Sequence, residues 1–399
     1  MKNFFIKEIS HFRQLSQKAQ RLLISYFFVG LAGPLVGTFV NAYIFKNQGN
    51  LAIFVIYYLG FFLAIPFTFI INGWLLRIVK ITYLYFFGTI MLAVSPLFLV
   101  FYANFSLIGY FIYGFILGVG VGFHWGNRNY FNQIETVDHE RSYYFSVTYA
   151  SDTVTAIFVS FLAGWLIVFG LDYKVLMIIA FIFLFISASL IVSFPSSKQP
   201  DTKKLFIKNP SSGWIGIRAL QAGIGIGEGI TFFFASLIIL SKLGNEGILG
   251  TLSALTSLIA AVSLYIYGRK SKTSHQIPVY VYSLIFGFFV SLLYALFFNK
   301  LLIVSYVSLI GSIGTFIWLA ANPLSMDALD RELKEGKDER YAYILDAEIF
   351  LNIGRSFSVL ISLLLFFWLG TDFSLRFSPF LLYLIQIILI VVFYKKLIQ

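Results

Sequence analysis

The chain has 399 residues, of which 59% are hydrophobic, 19% aromatic and only 12% charged, whereas soluble domains carry about 25% charged residues. So apolar a composition excludes a soluble globular protein and predicts an integral membrane protein. The formal net charge is +11; because the lysines and arginines lie in short segments between apolar runs, this charge indicates membrane topology and not nucleic-acid binding. Cysteine is absent, which excludes disulfides, thiolate metal sites and a cysteine nucleophile.

Twelve continuous apolar runs are long enough to cross a bilayer as helices, since about 20 residues are needed. Continuous runs predict helices, whereas the strands of a membrane barrel would alternate in polarity. The basic segment 1–21 precedes a run too long for a signal-peptide core, so we predict a retained first helix. The predicted spans are 22–45, 51–73, 81–102, 105–126, 143–170, 173–194, 213–241, 246–268, 277–298, 301–322, 343–369 and 374–394.

The distribution of basic residues predicts the orientation of these spans. With the N-terminus inside, the inner segments hold 22 of the 29 lysines and arginines and the outer loops hold five. The two remaining residues, Arg218 and Arg355, lie within apolar runs. Both chain ends are therefore predicted to be cytoplasmic, in a multi-pass protein of the cell (inner) membrane.

A polar segment at 195–212 divides the runs into two sets of six. We predict an N-terminal six-helix bundle over 1–194, a cytoplasmic linker over 195–212 and a C-terminal six-helix bundle over 213–399. A repeated pattern supports this division: a Trp-x3-Asn motif and a later Glu-Arg-x2-Tyr motif occur at 125–144 and again at 318–343, 199 residues apart at the Glu-Arg pair. Because both copies follow equivalent helices, the sequence predicts an internal duplication.

This organisation resembles the major facilitator superfamily (MFS) of secondary transporters. The family signature between helices 2 and 3, Gly-x-x-x-Asp-Arg-x-Gly-Arg-Arg, is matched at its basic positions by Arg77 and Lys80, with Leu76 in place of the Asp. The Gly-Pro signature of proton antiporters on helix 5 is not visible, which argues against a drug/proton antiporter. The resemblance implies an all-α membrane fold of two pseudo-symmetric six-helix bundles that work by alternating access.

The inner loops after the fourth and tenth runs also resemble the charged clusters of sugar-porter relatives. There, acids and guanidinium groups of the two halves hold the cytoplasmic side shut when the outside is open. Trp125 and Trp318 additionally suit an aromatic belt at the membrane surface. The resemblance implies a cytoplasmic gate, without individual pairings, from Trp125, Asn129, Glu135, Glu140, Arg141, Arg77, Lys80, Trp318, Asn322, Glu335, Glu339 and Arg340.

The resemblance places the substrate site near the membrane midplane, between the halves, so charged residues at that depth are candidates. Each such charge costs about 2.5–3.5 kcal/mol on insertion scales. Glu228 lies about halfway along the seventh run, where it is either a proton or cation carrier or one partner of a structural ion pair with an arginine. Arg218, nearer the cytoplasm, is interpreted as a snorkelling side chain, with an anion ligand as the alternative. Four glycines around Glu228 allow bending and close backbone approach: Gly223, Gly225, Gly227 and Gly229.

The eleventh run carries Glu348, Asn352 and Arg355 at positions i, i+4 and i+7, which share one helix face. Arg355 falls near the midplane and is the predicted partner of Glu228 or of an anionic substrate. An internal network that only packs the helix is the alternative. Asp346 lies nearer the cytoplasm, where we expect it to be solvated.

Three further polar or glycine-rich stretches lie in other runs. In the fifth run, Asp152 is either a coupling group or a structural hydrogen-bond partner. The first run, with Pro34 among glycines, is predicted to kink. In the fourth, a stripe of small residues is predicted to pack a neighbouring helix closely, and His124 is expected to be solvated at the inner interface. The stripe consists of Gly114, Gly118 and Gly122.

The sequence contains no His-x3-His or His-Glu-x2-His spacing, no Gly-x-Ser-x-Gly elbow and no Walker loop, so we predict neither an enzyme, a metal site nor a cofactor. The predicted function is secondary active transport of a small solute by a monomer in the bilayer. Coupling to protons through Glu228 is one interpretation, and a sodium (Na+)-coupled carrier and a uniporter stay open as alternatives. Two alternatives stay open: a lipid or glycolipid flippase on the same fold, and a non-transporting membrane sensor or assembly factor.

Overall fold

The structure, a computed structural model, describes residue 12 and residues 15–49, 51–102, 105–134, 138–192, 202–270, 276–333 and 339–398, without the side chains of 133–134, 138–143, 266–270 and 398. Over these residues it contains twelve helices that are long and apolar enough to cross a membrane, so the chain is a multi-pass membrane protein. They are α1 (Gln17–Gln48), α2 (Leu51–Leu75), α3 (Ile81–Phe101), α4 (Leu107–Ile134), α5 (Asp138–Val168), α6 (Tyr173–Val192), α7 (Ser212–Lys242), α8 (Glu246–Lys270), α9 (Gln276–Leu296), α10 (Lys300–Glu332), α11 (Arg340–Leu369) and α12 (Thr371–Ile398).

Several helices continue beyond their apolar runs. The fourth run was expected to end at 126 and the tenth at 322, but α4 extends to Ile134 and α10 to Glu332. A helix satisfies its own backbone hydrogen bonds, so it continues into polar surroundings unless the sequence stops it. Hydropathy therefore located the apolar part of each helix and not its end.

The first helix is interrupted in the middle. An α-helical segment ends at Pro34, a π-helical turn covers Leu35–Phe39, and a second α-helical segment runs over Val40–Gln48. Proline has no N–H to donate and its ring crowds the preceding turn, which explains why the regular hydrogen-bond pattern changes here. The structure therefore interrupts the regular α-helix directly after Pro34, where the kink was predicted.

The helices pack as two bundles of six with the same internal arrangement. In the N-terminal half, α1 packs on α5 and α6, α2 on α4, and α3 on α4 and α6. In the C-terminal half, α7 packs on α11 and α12, α8 on α10, and α9 on α10 and α12. Adding six to each N-terminal helix number gives its C-terminal counterpart, as a duplicated fold requires. The predicted fold of two pseudo-symmetric bundles is confirmed, whereas the predicted domain boundaries stay a prediction.

The halves meet along two equivalent helix pairs, α5 with α8 and α2 with α11. Twelve crossings return the chain to its starting side. We call this side, where α1 begins and α6 connects to α7, the inner side, and the opposite side the outer side. That the inner side is cytoplasmic remains a prediction from the distribution of basic residues.

The glycine stripe of α4 lets that helix contact α2 backbone to backbone. A Cβ atom added at Gly114 would lie 2.0 Å from the carbonyl oxygen of Tyr57, and one at Gly118 would lie 2.3 Å from that of Phe61. Since no side chain fits in this space, the stripe sets the spacing of the two helices, and the packing interpretation is confirmed.

We expect Gly114→Ala to lower the apparent melting temperature of the purified protein, because α2 and α4 must separate to admit the methyl group. Overpacking of this kind costs about 1–3 kcal/mol. Gly33→Ala is the matched control, since no atom beyond its own stretch of helix lies within 4 Å of the added Cβ. Equal melting temperatures for the two variants in a thermal-shift assay would contradict the packing argument.

Candidate functional site

The most polar site near the middle of the bundle arises where α7 and α11 touch. A Cβ at Gly225 would lie 2.0 Å from the carbonyl oxygen of Leu351, and one at Gly354 would lie 2.1 Å from that of Ala222. Glycine is the residue that permits such an approach. The glycines around Glu228 thus serve for close packing, which brings the polar side chains of the two helices within contact distance.

Glu228 and Arg355 form a largely buried ion pair across this junction. The Nη2 and Nε atoms of Arg355 lie 2.6 Å and 3.0 Å from Oε2 of Glu228. The indole N–H of Trp318, on α10, donates to the other carboxylate oxygen. The guanidinium carbon of Arg355 lies 5.8 Å from the ring of Phe62 and 5.4 Å from that of Phe232. Because Phe62 belongs to α2, both halves of the protein enclose the predicted pair.

A second carboxylate approaches Arg355 from its own helix. Oε1 of Glu348 lies 3.5 Å from Nη1 of Arg355 and accepts a hydrogen bond from Nδ2 of Asn352 at 2.8 Å. Nη1 of Arg355 also donates to Oδ1 of Asn352 at 3.2 Å. The three residues share one face of α11 as predicted, and one guanidinium group serves two carboxylates.

Closer to the inner side, Arg218 and Asp346 form another ion pair between α7 and α11. Nε and Nη2 of Arg218 donate to the two carboxylate oxygens of Asp346 at 2.7 Å and 2.6 Å, and the indole N–H of Trp214 donates at 2.7 Å. The expectation that Arg218 snorkels and Asp346 is solvated was wrong. The close, parallel packing of the helices makes each residue the nearest countercharge of the other.

Asp346→Ala should destabilise the protein by about 3 kcal/mol, because it leaves the guanidinium of Arg218 buried without its partner. The measurement is the apparent melting temperature in detergent. The double variant Asp346→Ala with Arg218→Met removes the stranded charge and should recover much of the loss. If the double variant melts at the same temperature as Asp346→Ala, the unpaired guanidinium of Arg218 is not the cause of the destabilisation.

The N-terminal half contains a separate charged cluster, in which the candidate Asp152 meets an arginine that the sequence did not single out. The guanidinium of Arg128, on α4, lies between the rings of Tyr26 and Trp125, with its carbon 4.2 Å and 4.5 Å from their centroids. Its Nη2 lies 3.5 Å from Oδ2 of Asp152 on α5. Because the fourth apolar run ends at 126, hydropathy alone assigns Arg128 to the loop that follows it. Its position one turn after Trp125 was the available signal, since residues i and i+3 share a helix face.

His124 lies inside the N-terminal bundle and not at the membrane surface. Its side chain is buried, and its Nδ1 atom lies 2.9 Å from Oγ1 of Thr89 on α3. The expectation of a solvated histidine was wrong because α4 continues for further turns beyond it.

The described members of the predicted gate have diverse surroundings. Arg77 donates to the carbonyl oxygen of Thr202 at 2.6 Å, which attaches the linker to α2. Glu339 pairs with Lys204 at 2.8 Å. Trp318 was expected at the inner surface, but its contact with Glu228 places it within the central cluster.

Other gate candidates give less information. Arg340 lies 3.9 Å from Asp330, Lys80 is exposed, and Asn129 and Asn322 are half-buried. Glu135 and Glu335 lie outside the described residues, as do the side chains of Glu140 and Arg141. Pairing across the halves at the gate therefore stays a prediction.

On the outer side, the two halves are in direct contact. Nδ2 of Asn41 donates to the carbonyl oxygen of Phe232 at 2.8 Å, and the hydroxyl of Tyr58 donates to Oδ1 of Asn41 at 2.9 Å. The rings of Phe54 and Phe233 stack with centroids 6.0 Å apart. These contacts join α1 and α2 to α7 on the outer side of the Glu228–Arg355 pair.

A second outer contact joins α5 and α6 to α8. Nε1 of Trp165 donates to Oγ1 of Thr251 at 3.1 Å, and the hydroxyl of Tyr173 donates to Glu246 at 2.6 Å. A Cβ at Gly250 would lie 2.3 Å from the carbonyl oxygen of Ser160. The halves therefore touch through backbone at this point.

No protein-family model matches the sequence. The uncharacterized protein YqgE of Bacillus subtilis (strain 168) is 24% identical over 364 residues, which cover 86% of this chain and 81% of the relative. Among solved structures, a POT family transporter in complex with 5-aminolevulinic acid is similar at a TM-score of 0.72 and 13% identity, over 97% of this chain and 100% of that chain.

Two further transporters have the same fold. The D-xylose-proton symporter is similar at a TM-score of 0.70 and 13% identity, over 95% of this chain and 97% of its own. A mutant of the nucleoside transporter NupG is similar at a TM-score of 0.67 and 13% identity, over 95% of this chain and 100% of that chain. These neighbours are MFS-type transporters, and this chain has the MFS fold.

Proposed function

We propose that this protein is a secondary active transporter that moves a small solute across the cytoplasmic membrane by alternating access, driven by protons. The observation that carries this proposal is the buried Glu228–Arg355 pair, enclosed by residues of both halves. Each charge at such depth costs about 2.5–3.5 kcal/mol on insertion scales, so such residues mark ion and substrate pathways.

The position of the pair fits a transport site. Glu228 and Arg355 lie close to the middle of α7 and α11, and Trp318, Phe62 and Phe232 surround them with aromatic rings. A central polar group among apolar walls can bind a solute by charge, hydrogen bonds and stacking. The site takes a solute that carries at least one charged or strongly polar group.

The contacts between the halves support alternating access. In this proposal, the outer side is closed by the contacts of Asn41, Tyr58 and Phe232 and by the Gly250 contact of α8 with α5. In a duplicated fold, transport requires each side to open while the other is closed, by rocking of one bundle against the other. We propose that the outer contacts separate and re-form in every cycle.

The proposal is tested first by identifying a solute. The purified protein is screened for thermal stabilisation by sugars, amino acids, nucleosides, organic ions and lipids. A solute that stabilises it is then measured for uptake into proteoliposomes under an imposed pH gradient. Uptake above that of empty liposomes, accelerated by the gradient, is expected.

A pair of variants links uptake to the site. Glu228→Gln should reduce uptake at least about tenfold, since removing a charged hydrogen-bond partner costs about 1.5–3 kcal/mol. Asp372→Asn, a change of the same chemistry at an exposed carboxylate near the outer end of α12, should leave uptake unchanged. If only lipids stabilise the protein and it moves lipids between the leaflets, it is a flippase and the proposal of solute transport is wrong.

A further inference from the structure

The charges of the central cluster do not balance, in contrast to those of two other ion pairs within the bundles. Two ion pairs, Arg128 with Asp152 and Arg218 with Asp346, are each neutral. The central cluster differs, because Arg355 contacts both Glu228 and Glu348. With all three ionised, this cluster carries one negative charge in excess.

An excess buried charge is expensive. The side chains of Glu228, Glu348 and Arg355 are 24%, 17% and 11% exposed, so water screens the cluster only in part. A buried carboxylate without a countercharge takes up a proton in preference to remaining ionised. We therefore expect one of the two glutamates to be protonated.

The contacts distinguish the two glutamates. Glu228 accepts from three N–H groups, two of Arg355 and one of Trp318, and an ionised carboxylate is the acceptor that such a set of donors matches. Oε1 of Glu348 lies 3.5 Å from Nη1 of Arg355, which is longer than a direct N–H···O hydrogen bond. Its contacts with Asn352 and Arg355 both involve Oε1, which leaves Oε2 for a proton.

We infer that Glu348 carries the transported proton and that Arg355 moves between Glu228 and Glu348 as this proton leaves and returns. This inference rests on the proposed function and assigns the proton, within the same site, to Glu348 and not to Glu228. With Glu348 protonated, Arg355 stays on Glu228, as in this structure. When the proton leaves, the new carboxylate of Glu348 attracts the guanidinium, and Glu228 keeps only the indole N–H of Trp318.

The exchange needs only small movements. Asn352 already lies between the two positions, since it donates to Glu348 and accepts from Arg355. Loss of one proton from Glu348 changes the cluster by one negative charge, which a cationic group of the solute on Glu228 can compensate. Proton and solute are coupled because both act through the single guanidinium of Arg355.

Charged groups of the helices that pack against α11 do not offer Glu348 another described partner. On α7, Arg218 is engaged by Asp346, and the remaining acid is Glu228. The α2 sequence, Leu51–Leu75, contains no charged residue. The charged residues of α12 lie near its ends: Asp372, Arg376, Lys395 and Lys396.

The test is infrared spectroscopy of the purified protein titrated with acid and base, with the proton as the only probe. The wild-type protein should show the carbonyl stretching band of a protonated carboxylic acid, which disappears as the pH is raised. Glu348→Gln should lack this band, and Asp372→Asn should retain it.

Conservative variants assign the band to one residue. Removing either glutamate cancels the excess charge, so glutamine variants alone do not separate the two. Glu348→Asp keeps a carboxyl group but changes its hydrogen bonds, and should move the band. Glu228→Asp should leave the band in place.

The reverse result, a band that moves in Glu228→Asp and not in Glu348→Asp, would overturn the inference, as would the absence of the band in the wild type. Neither result depends on transport. Failure of the uptake assay therefore refutes the proposed function, whereas a misplaced band refutes only the assignment of the proton.

Discussion

Replacing Arg355 with alanine should abolish uptake and destabilise the protein more than any other single substitution in the central cluster. The change leaves Glu228 and Glu348 in one buried place with no cation between them. Loss of one partner from a buried ion pair costs about 3–5 kcal/mol, which corresponds to a hundredfold or larger effect. The measurements are the apparent melting temperature in detergent and the rate of solute uptake into proteoliposomes.

A second substitution separates stability from transport in this prediction. Arg355→Ala combined with Glu228→Gln removes one positive and one negative charge, so the melting temperature should rise towards the wild-type value. Uptake should stay absent, because the variant lacks both the carboxylate of Glu228, which is proposed to bind the solute, and the guanidinium of Arg355, which is proposed to move between the two glutamates. If Arg355→Ala takes up the solute at the wild-type rate, the ion pair has at most a structural role.

Gly250→Leu should block transport while leaving the protein folded. A side chain at this position would collide with the carbonyl oxygen of Ser160, which a Cβ alone would approach to 2.3 Å. Because α5 and α8 belong to different bundles, they can remain apart without disturbing the packing within either one. We therefore expect the outer side to stay open and uptake to fall by about a hundredfold, since overpacking of up to about 3 kcal/mol opposes closure in every cycle.

The absence of cysteine from the chain makes this prediction measurable. Phe233→Cys introduces a single thiol at a position that is fully buried by the outer closure. A membrane-impermeant maleimide should label it strongly in the Gly250→Leu background and weakly without it. Val262→Leu, on the same helix at a half-exposed position, is the control for an added leucine. Unchanged labelling together with normal uptake would contradict the closure proposed for α5 and α8.

The sequence predicted the fold because the fold depends on quantities that a sequence displays. Continuous apolar runs give the number of helices, the distribution of lysine and arginine predicts their direction, and the repeated tryptophan motif indicates the duplication. The partnership of Glu228 with Arg355 was also predictable. Both are charges near the middle of apolar runs, where the absence of water leaves few alternatives to pairing.

The sequence could not show where helices end or how they rotate. The apolar run ends at 126, so His124 near its end was placed at the surface and Arg128 beyond it was placed outside the helix, yet α4 continues to Ile134. Arg218 and Asp346 pair because backbone contacts at glycines fix the register of α7 against α11. Such a register depends on two helices at once, so no pattern within either helix reveals it.

The π-helical turn of α1 has a consequence for how one helix serves both bundles. Before the turn, Gln17–Pro34 packs on α5 and α6 of its own half; after it, Val40–Gln48 packs on α7 of the other half. A π turn accommodates one additional residue, and one residue corresponds to about 100° of rotation around a helix axis. The π-helical turn Leu35–Phe39 thus rotates the face of α1 that packs on α7 relative to the face that packs on α5 and α6. Deleting one residue there would turn Asn41 away from Phe232 while the inner segment kept its place.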